Sequence, residues 1–216
     1  MGVSTRRGGV RTTKPSSAAC DRNSEPILAQ LNVLIERDDE CARKILEIGS
    51  GTGQHAVYFS GQLQEKNIVW QCSDIADNLP GIQQWLNDES GEHCPPAFEL
   101  DLINAKWLPN EYDYVFTANT LHIVSWPLVK QFFEGVSVTL KSAGLCIVYG
   151  PFNYANEYTS DSNRVFDGWL KQRDRMSGIR DIEAVEQLAQ EQNVALELVD
   201  DIAMPANNRL LVFRKY

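Results

Sequence analysis

Three glycines within five residues, Gly49-Ser50-Gly51-Thr52-Gly53, stand directly after a short apolar run, Lys44-Ile45-Leu46-Glu47-Ile48. A segment of helical periodicity, residues 54–65, follows at once. An apolar run of this length that stops at glycines reads as a buried strand. The glycines permit a tight turn and a close approach of a ligand to the backbone. Strand, tight turn and helix open a βαβ unit, so the remainder of the chain is constrained to build a parallel sheet.

The downstream pattern meets that constraint. Strands are predicted at residues 68–72, 97–100, 112–118 and 145–149, with helices around Ile82, Trp85 and Leu86 and over 129–140. Upstream, Ile27, Leu28, Leu31, Leu34 and Ile35 mark one face of a helix, and Pro26 suits its first turn. A polar, aromatic insert spans 151–180, and residues 182–192 read as an amphipathic helix. Two last apolar runs, 194–202 and 209–214, flank Met204-Pro205-Ala206-Asn207-Asn208 and suggest a C-terminal antiparallel hairpin at the sheet edge. That makes seven strands, mostly parallel, and right-handed crossovers place helices on both faces.

Composition narrows the class. A length of 216 residues fits one domain, and no run of about 18 apolar residues is present to span a membrane. The five cysteines (Cys20, Cys41, Cys72, Cys94, Cys146) form no CxxC pair and are odd in number. This speaks against a disulfide framework and against zinc, and free thiols fit the cytoplasm. Residues 1–17 are rich in Ser, Thr, Gly, Arg and Lys and read as a disordered basic tail, with an organelle-targeting peptide as the alternative. The domain is then 18–216. Residues 1–22 carry five basic residues and one acid, which leaves 15 basic against 28 acidic residues on the rest. Such a body repels nucleic-acid phosphates and tolerates a cationic cofactor.

The glycine spacing separates two cofactors. In the dinucleotide pattern GxGxxG the third glycine is the sixth residue. Here it is the fifth, and Gln54 takes the sixth place. Glu47, two residues before Gly49, completes E-x-G-x-G-x-G, the pattern associated with S-adenosylmethionine (SAM). The amino-acid carboxylate of SAM suits the N–H groups at a helix start. An acid is then needed on the next strand for the ribose hydroxyls, and Asp74 stands 25 residues after Gly49. Asp101 and Leu102 follow the third strand, where an adenine is met in this fold, and Asn119 follows the fourth, beside the sulfonium. A strand–helix turn with no ligand, and loop-end acids with no partner, are the alternatives.

Several stretches carry a resemblance. They are Leu46-Glu47-Ile48-Gly49-Ser50-Gly51-Thr52-Gly53-Gln54-His55-Ala56-Val57-Tyr58-Phe59, Asp21-Arg22-Asn23-Ser24-Glu25-Pro26-Ile27-Leu28, Asn119-Thr120-Leu121-His122-Ile123-Val124-Ser125-Trp126 and Tyr149-Gly150-Pro151-Phe152-Asn153-Tyr154. Together with Ser160-Asp161-Ser162-Asn163 and Met204-Pro205-Ala206-Asn207-Asn208, they closely resemble a family of small class I methyltransferases that includes methyltransferase-like 26. The likeness spans roughly residues 20–216. It implies a Rossmann-like, SAM-binding α/β fold, and it implies that Arg22 and Asn23 fold back over the cofactor. It names no substrate.

Candidates for the acceptor side follow from position, since ligands of a parallel sheet bind beyond the carboxyl ends of its strands. His122 is the candidate base, with a loop-holding hydrogen bond as the alternative. The Asn-Thr-Leu-His sequence lacks the proline of the N/D-P-P-Y/F motif that marks many amino-group methyltransferases. His55, Asn153, Tyr154, Asn163, Asn207 and Asn208 are candidates for a small, polar, uncharged or zwitterionic substrate. Arg180 is expected in a salt bridge to Asp181 or a neighbouring acid, with a substrate carboxylate as the alternative, and Phe166, Trp169 and Leu170 in packing as a lid. Three functions share these features: a methyltransferase, a SAM-binding sensor or scaffold without turnover, and, against the glycine spacing, an NAD(P) oxidoreductase. Nothing in the sequence fixes the oligomeric state.

Overall fold

The computed structural model describes residues 14–89 and 93–216, so the expectation of a disordered tail lies, for residues 1–13, outside the described residues. The core is a seven-stranded sheet. Five parallel strands, β1 (Arg43–Ile48), β2 (Ile68–Asp74), β3 (Phe98–Glu99), β4 (Tyr112–Ala118) and β5 (Leu140–Gly150), run in the order β3-β2-β1-β4-β5. A short strand β6 (Phe152–Asn153) pairs in parallel with β7 (Arg180–Asp181) as a separate ribbon. The hairpin of β8 (Leu196–Met204) and β9 (Asn208–Lys215) extends the main sheet, with β9 antiparallel to β5 and β8 outermost. The expected α/β architecture is the one observed.

Alternation along each strand feeds two cores. Ile45, Trp70, Phe116 and Ile147 face α1 (Ala18–Leu34), α2 (Gln54–Gln62) and α3 (Leu79–Glu89). Leu46, Ile48, Val115 and Val148 face α4 (Trp126–Thr139) and α6 (Ile182–Ala189). β1 is therefore apolar on both faces, as a central parallel strand must be. Of its four buried residues one is polar, Glu47, and it falls on the first of these faces.

The first helix departs from expectation. It begins at Ala18, and Pro26 is inside it rather than at its start. An interior proline costs a helix about 3 kcal/mol, because the carbonyl four residues earlier, here Arg22, loses its donor. Ile27 and Leu31 on the same helix are both fully buried. Each is worth about 1.5–3 kcal/mol, so packing outweighs the local penalty. Residues 14–17, read as the end of the tail, lie along α3. Lys14 pairs with Asp88 at 3.1 Å, and Trp85 Nε1 donates to the Pro15 carbonyl at 2.7 Å.

The crossover from β3 to β4 contains no helix. Trp107 covers this part of the sheet instead and lies against Gly135 of α4, so closely that a Cβ built there would stand 1.9 Å from the indole. Gly135→Ala is expected to destabilise the protein by about 1–3 kcal/mol, the range for overpacking, because the ring is held between a helix and a sheet. A denaturant-unfolding midpoint equal to that of the wild type would show that Trp107 can leave its place freely.

Candidate functional site

β1, β2, β4 and β5 end together at Ile48, Asp74, Ala118 and Gly150, and the turns that follow them converge on one rim of the sheet. The turn after β1 is fixed by its neighbours. Gly49 and Ser50 both donate to the Ser73 carbonyl at 3.0 Å, and Ser50 Oγ accepts from Ser73 N at 3.2 Å. Gly49 has φ +71°, and a Cβ there would meet Thr120 Oγ1 at 2.8 Å, so both conformation and space require glycine. Gly51, at φ +59°, meets no protein atom within 4 Å of its Cβ position. Gly53 leads straight into α2 and offers no side-chain cap to that helix. Gln54 N, the first N–H of α2, donates to Thr52 Oγ1 at 3.4 Å, and Gly53 itself caps none of those that follow.

Asp74 closes the turn from the side of β2. Its Oδ2 accepts from Gly51 N at 2.7 Å, and its Oδ1 accepts from Ile75 N at 2.7 Å and Asn78 Nδ2 at 2.9 Å. It is buried at the tip of its strand. Asp101 and Leu102 lie half-buried beyond β3, where Asp101 Oδ1 accepts from Ile103 N at 3.0 Å. Asn119, half-buried at φ 59°, donates its backbone N–H to the Tyr149 carbonyl at 2.8 Å.

Glu47 sits beneath the turn. Its carboxylate is fully buried, accepts from Trp70 Nε1 at 3.0 Å and is in reach of the Cys72 thiol and Ser50. Burial pushes its pKa up to about 7, against the Trp70 and Ser50 hydrogen bonds, which pull it down. A carboxyl so placed braces the floor of the turn. As pH rises, the unfolded chain loses this proton first, from its ordinary 4.5, while the folded protein holds it to about 7. Stability is therefore lost across that window and stays lost above it. Glu47→Gln keeps an acceptor for Trp70 and removes the penalty. It is expected to match the wild type near pH 4 and to exceed it by up to about 3 kcal/mol near pH 8 in denaturant unfolding. A constant difference at all pH values would contradict this account.

α1 reaches over the same rim. Ser17 N donates to Gln54 Oε1 at 2.6 Å, and Gln54 Nε2 donates to Asp21 Oδ1 at 3.1 Å. Buried Asn23 bonds His55 Nε2 through its Oδ1 at 2.7 Å and reaches the Tyr149 hydroxyl. Arg22 is exposed, and its charge is felt at Tyr149. His55 stacks on Phe59, and burial lowers its pKa to about 4. Its Nε2 is taken by Asn23, so it ties α1 to α2.

On the other side of the rim lies His122, 5 % exposed, with Phe166 of α5 (Asp161–Arg173) edge-on at 5.4 Å. Burial first, then the charge of Arg180, lowers its pKa to about 4, and no described residue hydrogen-bonds its ring nitrogens. Arg180 corrects an expectation: among the described residues it pairs with neither Asp181 nor another acid. It donates to the carbonyls of Leu121 (2.9 Å), Val124 and Met176 (3.0 Å), and so holds the loop that carries His122. Asp181 accepts from Asn156 N instead. Buried Asp167 fixes α5 from beneath, accepting from Lys171, Tyr158 and Ile179 N.

The remaining polar candidates divide. Asn153 has a buried Oδ1 with no partner. Tyr154 is committed to Asp201, at 2.7 Å. Asn163 Nδ2 donates to the Asn207 carbonyl at 3.1 Å, which ties α5 to the hairpin loop, and Asn207 Nδ2 reaches Ser162. Asn208 bonds within its own loop, to Pro205. Neither Thr117 nor Thr120 is among the candidate site residues named from position. Their hydroxyls bond each other at 2.8 Å, and Thr117 also donates to the Ile48 carbonyl, which locks the β4 turn to the glycine turn. Nothing in residue spacing could have revealed that pairing. Among the described residues, no group of three or more His, Cys, Asp or Glu is placed to hold a metal.

A sheet in this strand order, with a glycine turn after β1 and antiparallel β9 beside β5, is the class I methyltransferase fold. A family model described as "protein of unknown function (DUF938)" matches residues 14–215, and the chain belongs to that family. Among solved structures it is similar to the mitomycin 7-O-methyltransferase MmcR, with a TM-score of 0.74 and 13% identity over 92% of this chain and 55% of that one. Human N-acetylserotonin methyltransferase, solved in complex with SAM, gives 0.72 and 15% over 91% and 52%. An O-methyltransferase family 2 protein from Planctomyces limnophilus, in complex with apigenin, gives 0.71 and 12% over 89% and 62%. This chain thus spans little more than half the length of the solved relatives, and at such identities the likeness is one of fold. No helix among the described residues is long and apolar enough to cross a membrane.

Proposed function

We propose that this protein binds SAM at the rim formed by the glycine turn, Asp74 and α1, and transfers its methyl group to a small polar acceptor. The observation that carries the reading is the pair Gly51 and Asp74. A carboxylate at the tip of β2 holds the turn by its Gly51 amide, and the side of Gly51 where a Cβ would stand is clear of protein. A backbone so bared admits a ligand, and the neighbouring carboxylate accepts from a sugar hydroxyl. In this reading Ser50, Gly53 and the start of α2 receive the carboxylate of the methionine moiety, with Arg22 and Asn23 above it. Asp101 and Leu102 meet the adenine, and Asn119 flanks the sulfur. Bound SAM supplies an activated methyl group on a cationic sulfur. The protein's part is alignment and exclusion of water, and positioning of this kind contributes about 7–11 kcal/mol in favourable cases. Asn153, His122, Asn163 and Asn207 surround the acceptor, while His55, Tyr154, Glu47 and Asn208 act as supports. The solved SAM complex of one neighbour and the apigenin complex of another agree with this use of the fold. The resemblance to the small methyltransferases that include methyltransferase-like 26 points the same way.

Calorimetric titration with SAM tests the first half, and transfer of a tritiated methyl group to fractionated cell extract tests the second. No SAM binding by folded protein would end the proposal. Binding with no transfer to any fraction would leave a SAM sensor in its place, and NADH binding in preference to SAM would restore the oxidoreductase reading.

A further inference from the structure

Arg180 carries a charge that the protein does not answer. Its Nε and Nη2 donate to the carbonyls of Leu121, Val124 and Met176, which solvate a guanidinium without neutralising it. The acid whose charge reaches it is Asp167, and that carboxylate is already spent on Lys171, Tyr158 and Ile179 N. Burial holds the Arg180 pKa below the usual guanidinium range, yet the group stays charged at neutral pH. A half-buried cation without a counter-ion is costly, and this one stands in a protein of net charge −9, which has acids to spare. What is left over is its Nη1 group, whose two N–H groups donate to no described residue and are not sealed from solvent.

His122 is open in the same way. Its ring nitrogens bond to no described residue, and although the residue is almost wholly buried, neither nitrogen is sealed off. The ring stands over the end of β5, where its Nδ1 would lie 3.5 Å from a Cβ on Gly150. The charge of Arg180 reaches this ring. One loop joins the two groups: Arg180 grips the carbonyls of Leu121 and Val124, which bracket His122, and Gly178 N donates to the His122 carbonyl at 2.9 Å. Phe166 stands edge-on to the imidazole, and Trp169 is stacked on Phe166 at 5.8 Å and 18°. An open cation, an open imidazole and an aromatic wall thus share one corner of the rim.

We propose that the methyl acceptor is a flat hydroxy acid: its carboxylate lies on Arg180 Nη1, its hydroxyl on His122 and its ring against Phe166. The inference deepens and rests on the methyltransferase reading above, but it is tested by binding and not by turnover. A guanidinium holds a carboxylate by charge-assisted hydrogen bonds, which are roughly twice as strong as neutral ones. Arg180 then does two things with one side chain. Three of its N–H groups hold the His122 loop, and the other two select the acid.

The probes are 2-, 3- and 4-hydroxybenzoate, with the three hydroxybenzamides as neutral partners of the same shape. Each is titrated by ligand-observed NMR against the full chain carrying S-adenosylhomocysteine, which fills the cofactor site without turnover. At least one acid is expected to bind saturably and about five- to tenfold more tightly than its amide, the difference between a charge-assisted and a neutral hydrogen bond. It should also move the ring signals of His122, one of three histidines in the chain, recognised by their loss in His122→Asn. Arg180→Gln should bring acid and amide level, whereas loss of a residue that only props the loop would weaken both alike and leave their ratio as it was. Arg180→Lys, which keeps the charge, should keep the acid ahead. Melting curves report whether each variant folds, and if Arg180→Gln does not, the wild-type comparison and the His122 signals decide. No saturable binding of any acid at about 10 mM, amides bound as tightly as the acids, or unmoved His122 signals would overturn the inference. So would acids that S-adenosylhomocysteine displaces, since they would be sitting in the place of its amino-acid carboxylate. If S-adenosylhomocysteine itself does not bind, the methyltransferase reading fails, and the same comparison on the bare chain still decides whether Arg180 takes an acid.

Discussion

Asp74→Ala is expected to weaken SAM binding by about 10²–10⁴-fold, which removes it from the range of an ordinary titration. The size follows from what the carboxylate does. Three donors already fill most of its acceptor capacity: Gly51 N, Ile75 N and Asn78 Nδ2. A carboxylate has about four lone-pair sites, so room remains for one strong bond to a ribose hydroxyl. Such a charge-assisted bond is worth about 1.5–3 kcal/mol. The alanine also frees the Gly51 amide and unpins the turn, and an abandoned buried donor costs about 1–3 kcal/mol more. Asp74→Asn retains one acceptor oxygen and should lie between alanine and wild type. Asn78→Ala, which touches the carboxylate from the side away from Gly51, should change affinity little. Calorimetry at fixed ionic strength, with melting curves to confirm folding, checks all three. Wild-type affinity in folded Asp74→Ala would place the sugar elsewhere and undo the proposed site.

How much of this was legible depends on the range of the interaction. The glycine turn, the alternation of strands and the C-terminal hairpin are local periodicities, and each appeared where the residues put it. Asp74 was legible because it is fixed by distance along one βαβ unit. The start of α1 was not, because a proline at 26 reads as a helix opening. Only the burial of Ile27 and Leu31 against the sheet shows why the helix runs through it. Arg180 was misread for a related reason. Side-chain charge suggests a carboxylate partner, yet its partners are three backbone carbonyls, and carbonyls carry no sequence signature. Glu47 was visible as part of the motif, but its orientation away from the rim and toward Trp70 depends on which face of β1 the position occupies. The polar residues of the insert were recognised as a group and not sorted. Asn163 and Asn207 meet across 44 residues of chain, Tyr154 is spent on Asp201, and Asn153 alone keeps a buried oxygen without a partner. The β3–β4 crossover offered no signal at all, since the loss of a helix looks like any polar loop.

His122→Asn is expected to lower the methyl-transfer rate by about 10²–10⁴-fold while leaving SAM affinity nearly unchanged, the span covered by loss of a general base. The ring is buried beside Phe166, its nitrogens have no described protein partner, and Arg180 secures the loop that carries it. A neutral, unpartnered imidazole is ready to accept a proton from an acceptor hydroxyl or amine as the methyl group arrives. Its lowered pKa sets the sign of the pH dependence. A base must be unprotonated, and a histidine with pKa about 4 is unprotonated throughout the neutral range. The wild-type rate should therefore be flat from about pH 5.5 upward, where an unperturbed histidine would show a step near 6.5. The same burial limits its strength, so transfer to a strongly basic amine, which arrives protonated, is expected to rise with pH through the pKa of that amine instead. If His122 merely holds its loop, His122→Asn will change the rate only a few-fold and will lower the melting temperature in proportion. A large loss of rate at unchanged melting temperature and SAM affinity, with the pH profile of the residual activity still flat, separates a residue that takes the proton from one that props the loop.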